Sequence, residues 1–380
     1  MQVDVATSVT SVSSQEVETL PLTSVTQVVG LQAGVESGLV IRGGGADEAL
    51  FEVDGATLRD PRNNLPIAGI PLSAVQEISI ERGGFNAEYG QVRSGIVNIV
   101  TKEGSNSTYS GTITMKYSTP SPKYYGVSPY DPNSMWLRPF LDPQVAWAGT
   151  QNGAWDEFTQ RQYPKFDGWN TVSARLLSDD DPSNDLSPAG AQRLFMFQHR
   201  KREVTDQPDY DIDAGFGGPV PLVSKRLGDL RFFASFRNNR SMLLIPLTRD
   251  DYYDYDWSLK LTSDLTSAIK LNVSGTRGKS YNIAVNGTEQ VSSTHYIQSA
   301  FQIADQVDFF PFTTSSRIFS NSYYSLAEVK HLTAAAKLTH VLGPKTFYEA
   351  SVEHVTRSYD TAPTALRDTS ASFEIVPAIP

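Results

Sequence analysis

Hydrophobic and polar positions alternate along most of this chain, and stripes of helical period are few. In the first hundred residues, four runs read as short strands bounded by glycine or turn clusters: Leu39 to Gly43, Ala49 to Gly55, Val75 to Arg82 and Gly95 to Lys102. Two short helices are predicted, Ser14 to Leu20 capped by Ser13 or Ser14, and Thr23 to Gly30 ahead of a glycine-rich break. Residues 1–107 therefore read as a small α+β domain. From Thr108 the runs lengthen. Tyr109, Gly111, Ile113, Met115 and Tyr117 alternate with Ser110, Thr112, Thr114 and Lys116. Tyr253, Tyr255, Trp257, Leu259 and Leu261 share one face, opposite Asp254, Asp256, Ser258, Lys260 and Thr262. Similar runs at Tyr210 to Phe216, Leu230 to Arg237, Ile269 to Ser274, Leu332 to His340 and Phe347 to Thr356 complete a set of seven predicted strands over residues 108–380.

Alternation alone does not decide what the apolar face meets, because a soluble sandwich also has one apolar side. The connections are more informative. Gly217 to Asp229, Ser263 to Ser267 and Val341 to Thr346 are compact, whereas Ser118 to Asp209 and Lys279 to Ser325 are long excursions, with a smaller one at Met242 to Asp251. Short links on one rim and long links on the other are the habit of outer-membrane barrels. Aromatic residues at strand ends sit where interfacial belts place them.

Composition first points the other way. Only 39% of the 380 residues are hydrophobic, and no run approaches the roughly 20 apolar residues of a spanning helix. Met1 to Leu20 lacks the basic start and apolar stretch of a signal peptide. A spanning strand, however, needs only about 9 to 11 tilted residues with half of them toward lipid, so modest hydropathy does not exclude a membrane protein. The net charge of −10 argues against a nucleic-acid partner, which would need a basic face. With no cysteine, the chain has no disulfide, thiolate metal site or cysteine nucleophile.

Candidate chemistry is sparse. Gly43-Gly44-Gly45 lacks both phosphate-loop spacing and a Lys-Ser/Thr pair, and reads as a tight turn. Asp179 to Asp185 has oxygen ligands at alternate positions but neither the central glycine nor the closing glutamate of a calcium loop, so a solvated acidic loop is expected. The five histidines show no metal spacing, and there is no nucleophile elbow. No catalytic residue, metal site or cofactor is nominated, and an enzyme is not expected. The first long excursion carries Trp136, Trp147, Trp155 and Trp169, then a helix-like stretch from Ser187 to His199. Packing of this loop on itself is expected over stacking on a sugar or another ring.

Five motifs then carry a resemblance: Leu39-Val40-Ile41-Arg42-Gly43-Gly44, Phe51-Glu52-Val53-Asp54-Gly55, Val75 to Gly83, Phe85-Asn86-Ala87-Glu88-Tyr89-Gly90, and Ser94 to Lys102. In this order and spacing, residues 28–104 resemble the plug domain of TonB-dependent outer-membrane receptors. Residues 108–358 resemble the opening strands of the receptor barrel, including Gly217-Gly218-Pro219-Val220 and Lys345 to Glu349. The resemblance implies an α+β plug domain followed by antiparallel transmembrane β-barrel strands, an incomplete barrel of about seven strands where the family has about 22. It also implies a fragment of a longer receptor in the outer membrane of a Gram-negative bacterium. Such a receptor binds a scarce or bulky solute, such as a ferric siderophore, cobalamin or an oligosaccharide. The TonB–ExbB–ExbD energy-transducing complex would pull on the plug, and outer-membrane lipid would surround the wall. By resemblance, Arg59, Asp60, Arg62, Asn63, Asn64, Phe85 and Tyr89 lie on plug loops facing the ligand, and Arg42, Glu81, Arg82 and Arg93 form plug–barrel ion pairs. The alternatives are a soluble β-rich carbohydrate-binding or carbohydrate-active module, and a surface receptor that keeps the plug for adhesion or signalling without transport.

Overall fold

The computed structural model describes residues 9–36, 40–60, 64, 66–67, 69–83, 92–124, 126–198, 206–244, 247–285, 296–297 and 324–362. The chain opens with β1 (Val9–Ser13), α1 (Ser14–Thr19) and α2 (Val25–Gly30). Helix α1 starts in a capping box. The Ser13 hydroxyl accepts from the Glu16 N–H at 3.4 Å, and the Glu16 carboxylate accepts from the Ser13 N–H at 2.8 Å, so two otherwise orphan donors are satisfied. Ser24 caps α2, accepting from the Gln27 N–H at 3.3 Å. Both helices begin within two residues of the positions expected from sequence. Strand β1 was not legible, because only Val12 of its five residues is buried.

The short pair β2 (Val35–Glu36) and β3 (Val40–Ile41) leads into β4 (Ala49–Val53), β5 (Ala56–Thr57), β6 (Val75–Glu81) and β7 (Gly95–Thr101). The main sheet of this domain has the order β1-β6-β7-β4-β5, with β4 and β7 parallel and the other pairs antiparallel. β7 sits in the middle, and its Gly95, Ile96, Val97 and Ile99 are buried, which is why it reads as a nearly continuous apolar run. Val25, Val28 and Val29 of α2 close the core over Phe51, Ile78, Ile80 and Ile99. At the Gly43 turn the backbone takes φ 73, which glycine adopts at little steric cost.

The second sheet begins with β8 (Ser110–Ser118). An excursion with helices α3 (Arg138–Leu141), α4 (Glu157–Gln162), α5 (Trp169–Leu176) and α6 (Pro188–Gln198) leads to β9 (Asp209–Pro219). Then come β10 (Arg231–Met242), β11 (Asp251–Thr266), β12 (Ile269–Val285), the two-residue β13 (Tyr296–Ile297), β14 (Tyr324–Gly343) and β15 (Thr346–Ala362). All seven expected strands are present, paired in the order β8-β9-β10-β11-β12-β14-β15, with β13 beside β12. Every pairing in this sheet is antiparallel, and the sheet is an open arc of wall. The short links at β11–β12 and β14–β15 each carry a register shift, between Asp264 and Thr266 and between Val341 and Gly343.

The wall is inverted relative to a soluble sheet. Its outward positions are apolar and exposed, with Ile113 at 74%, Met115 at 61%, Trp257 at 53% and Val352 at 68%. Its inward positions are polar and buried, with Asp256 at 5%, Lys260 at 6% and Thr262 at 1%. A soluble sandwich would bury the first set and expose the second. Tyr109, just before β8, and Tyr117, near its end, stand eight residues apart, which at about 3.3 Å per residue and a ~40° tilt gives a band roughly 20 Å tall. Among the described residues, no helix is long and apolar enough to cross a membrane.

The first excursion folds on itself, as expected. Trp136, Trp155 and Trp169 are buried, with Trp169 packed among Phe140, Phe166 and Phe195 and its indole N–H donating to the Phe140 carbonyl at 2.8 Å. Leu243 and Leu247 of the β10–β11 link and Ile283 of β12 join the same core, so the excursion is anchored to the strand ends. In the acidic loop, Asp179 and Asp181 accept from nearby backbone N–H groups.

Candidate functional site at the plug and wall interface

The N-terminal domain lies against the polar side of the wall, and Val355 of β15 packs on its core. Polar contacts between the two fall into two groups. The first lies where the chain leaves the domain for the wall. Asp54 occupies the β4–β5 turn at φ 52, and its carboxylate accepts from the Thr101 N–H at 3.0 Å and from the Thr101 hydroxyl. Lys260 of β11, nearly fully buried, reaches the same carboxylate at 2.9 Å and donates to the Thr101 carbonyl at 3.1 Å. Two residues on, Glu103 accepts from Arg231 at 3.1 Å and from Lys270 at 2.9 Å, with Lys260 at 3.9 Å. Partial burial pushes the Glu103 carboxyl upward, but the hydrogen bond and charge of Lys270, with Lys260 and Arg231, outweigh it and hold the group below the usual carboxylate range.

The second group gathers on residues 57–73. The Thr57 N–H donates to Glu353 at 3.0 Å. Asp60, with no exposed surface, pairs with Arg357 at 3.3 Å and accepts from the Tyr359 hydroxyl. The N–H groups of Leu72 and Ser73 open a 3₁₀ turn (Leu72–Ala74) and donate to the Asp213 carboxylate at 2.6 and 3.1 Å. The turn has no side-chain cap of its own, so a wall residue supplies one.

Between these contacts lies a glycine-dependent seat. Asp256 of β11 stands opposite Gly278 of β12, and Gly278 stands opposite His331 of β14. A Cβ on Gly278 would collide with both flanking side chains, so glycine lets Asp256 and His331 meet over the middle strand at 3.4 Å. Gly69 of the N-terminal domain rests on this bridge; a Cβ there would lie 2.7 Å from the Asp256 carboxylate and 2.9 Å from the His331 ring. Beside the seat is a cavity of about 510 Å³, lined by Thr23, Gln27, Arg237, Tyr252, Asp254 and Arg357 among others. Arg237 is held by Asp211 at 2.8 Å and Asp254 at 3.3 Å, and Tyr252 donates to Asp254 at 2.8 Å.

The residues singled out from sequence are placed as follows. Arg93 pairs with Glu48 at 3.8 Å, and Arg82 donates to the Thr10 hydroxyl at 2.6 Å and to the Ala33 carbonyl. Arg42 lies beside Gly83, and Glu81 stands in β6 opposite Val9 and Ile96. The described partners of these four belong to the N-terminal domain; among the described residues, Asp54, Asp60 and Glu103 make ion pairs across the interface. Asp60, expected on a ligand-facing loop, is buried against the wall, where Arg357 provides the cation that a carboxylate without solvent needs. Arg59 donates to the Ala49 carbonyl at 2.8 Å, and Asn64, at φ 59, closes the turn back to the Asp60 carbonyl at 2.8 Å. Arg62, Asn63, Phe85 and Tyr89 lie outside the described residues. Asp54 and Lys260 carried only a faint sequence signal, a polar residue in a turn and a lysine on the polar face of a strand.

A polar-faced antiparallel wall with a small α+β domain buried against it by ion pairs defines a class of protein, the plugged β-barrel. Residues 2–97 match the family model described as the TonB-dependent Receptor Plug Domain. The TonB-dependent transporter Oar of Myxococcus xanthus is 33% identical over 76 residues, covering 20% of this chain and 7% of that protein. The ferric yersiniabactin uptake receptor FyuA of Yersinia pestis matches 94% of this chain and 42% of its own length at 12% identity and a TM-score of 0.50. The alcaligin outer-membrane receptor FauA of Bordetella pertussis matches 94% of this chain and 40% of its own at 14% identity and a TM-score of 0.47. This chain thus spans less than half the length of either receptor and a small part of the curated relative. Residues 2–97 thus carry a TonB-dependent receptor plug domain, and a seven-stranded antiparallel arc follows it.

Proposed function

We propose that this chain is the plug and first wall strands of an outer-membrane receptor that binds a scarce or bulky solute and imports it with TonB-supplied energy. The solute class is that of ferric siderophores, cobalamin or oligosaccharides, and the expected energy source is the TonB–ExbB–ExbD complex acting on the plug. The observation that carries this reading is the inversion of the wall together with the plug docked on its polar side. The apolar outer band suits lipid, while the polar inner face holds the plug through contacts that a pull on the chain can break. Within the described residues, the part of plug–barrel lock is taken by Asp54, Asp60 and Glu103. The exposed apolar faces of β8, β11 and β15 weigh against a soluble β-rich module.

The test uses the full-length receptor in its host. It is expected to fractionate with outer membranes, to show the heat-modifiable gel mobility of a closed barrel, and to support uptake of one member of a panel of ferric siderophores, cobalamin and oligosaccharides only while the energy-transducing complex is intact. A receptor that is soluble without detergent would overturn the barrel reading. Uptake unchanged by loss of that complex would overturn the energy-coupled one.

A further inference from the structure

The cavity beside the Gly69 seat is built unlike an ion site. On the wall side it is lined from the parts of β10, β11, β12 and β14 that adjoin the long links, the rim from which a solute would arrive. On the plug side it is lined by the first turn of α2 with Ile67 and Gly69, rather than by Arg59 or Asn64 of the loop expected to face a ligand. Each charged side chain on the lining already has a partner. Arg237 is shared by Asp211 and Asp254, Arg357 pairs with Asp60, Lys279 reaches Glu328 at 2.8 Å, and Asp256 stands 3.4 Å from His331. An ionic guest would give up its hydration there without gaining a free counter-charge, which strongly disfavours it.

What the lining lacks is hydrogen-bond partners. Arg237 Nε and His331 Nε2 are buried without a hydrogen bond among the described residues, and a buried polar atom left unpaired costs more than an ordinary hydrogen bond returns. Asn239 and Ser241 of β10 and Thr26 of α2 add neutral donors and acceptors to the same cavity. Ile67 and Val329, each 4% exposed, supply an apolar part, and the Tyr252 hydroxyl is committed to Asp254, so that its ring is what this residue offers a guest. The volume of about 510 Å³ falls within the roughly 300–1,000 Å³ of small-molecule sites. A pyranose ring, uncharged, with hydroxyls around its edge and C–H groups on its faces, has the complementary pattern. We propose that this cavity binds a neutral sugar unit of the imported solute, its hydroxyls meeting Arg237, His331 and Asn239 and its C–H face lying on Ile67 and Val329. The inference rests on the import reading above and narrows its solute class.

The test uses the full-length receptor purified in detergent, with binding measured by isothermal titration calorimetry. The probes are neutral mono- and trisaccharides of glucose, galactose and mannose, each sugar beside its uronic acid and its amino sugar, together with a ferric tris-catecholate. At least one neutral sugar is expected to bind, with its anionic and cationic counterparts weaker by roughly tenfold or more. Asn239→Phe, which fills the cavity, is expected to remove that binding while the receptor keeps its heat-modifiable mobility. On the unaltered receptor, a diazirine derivative of the bound sugar is expected to label residues 23–27, 237–241 or 329–331. Competition by the trisaccharide tells the end unit of a longer chain from a free monosaccharide. No neutral sugar bound, tighter binding of a charged counterpart or of the ferric complex, binding undiminished by a folded Asn239→Phe receptor, or labelling confined to other segments would overturn the proposal. Labelling stands even if the variant misfolds. Failure of the import reading would appear separately, as uptake unchanged by loss of the energy-transducing complex.

Discussion

Asp60 and Glu103 show how differently two carboxylates can hold the same interface. Asp60 has no solvent contact and one dominant cation, Arg357. Removing one partner of a buried pair strands the other, so Asp60→Ala is expected to weaken plug docking by about 3 to 5 kcal/mol. This would be read as a lowered urea midpoint for protease access to residues 57–73 in the full-length receptor, and an unchanged midpoint would refute the anchor. Glu103 is half-exposed and tied to three cations that hold its carboxyl below the usual range. A group whose pKa is depressed on folding stabilises above its unfolded value, near 4.3, and loses that contribution as pH falls through the folded value. The link between Thr101 and Thr108 is therefore expected to be equally resistant to an acid-active protease from neutral pH down to about 5, and to loosen only at lower pH. Glu103→Gln should be looser at neutral pH and should lack that acid step.

At the scale of elements, the wall strands and the looped excursion obey different rules. A strand of the wall needs apolar residues on its outer face and polar ones within, and this two-residue period is visible in any run such as Tyr253 to Thr262. The excursion instead forms a helical cap, and its core depends on Trp169, fully buried among three phenylalanines. Trp169→Ala is expected to cost the cap about 3 to 5 kcal/mol while leaving the heat-modifiable mobility of the barrel intact, because among the described residues the cap's core meets the wall at strand ends. Near-ultraviolet circular dichroism and gel mobility, measured on one preparation, would separate the two effects. Helices α3 to α5 were not legible: they are four to eight residues long and separated by segments carrying prolines and glycines, too short for a helical period to emerge.

For the whole molecule, the plug is held where wall side chains meet plug backbone N–H groups and carboxylates, and under the proposed import those contacts would have to yield. The Thr57 N–H lies 3.0 Å from the Glu353 carboxylate, and the sequence contains no cysteine. Thr57→Cys with Glu353→Cys, bridged by a short reducible bis-thiol reagent that replaces the reach of the glutamate side chain, is therefore expected to lock plug to wall, abolishing uptake until a reductant is added. Either single cysteine should leave uptake near normal. Uptake by the bridged double variant at the normal rate would show that this part of the plug need not leave the wall.

The order of motifs from Leu39 to Lys102, the seven alternating strands and the short and long rims were readable in the residues alone. Each depends on the strand pleat, on turn chemistry or on loop length, which act over a few neighbouring positions. The partners were not readable. Asp54 meets Lys260 across 206 positions of sequence and Asp60 meets Tyr359 across 299, contacts set by strand register and by how the plug seats. The same holds for the Asp256–Gly278–His331 bridge under Gly69, where glycine matters only once three strands are aligned and a fourth backbone lies across them. Periodicity determined that one face of the wall is polar; tertiary structure decided which of its charges hold the plug, because pairing depends on distances that no local pattern encodes.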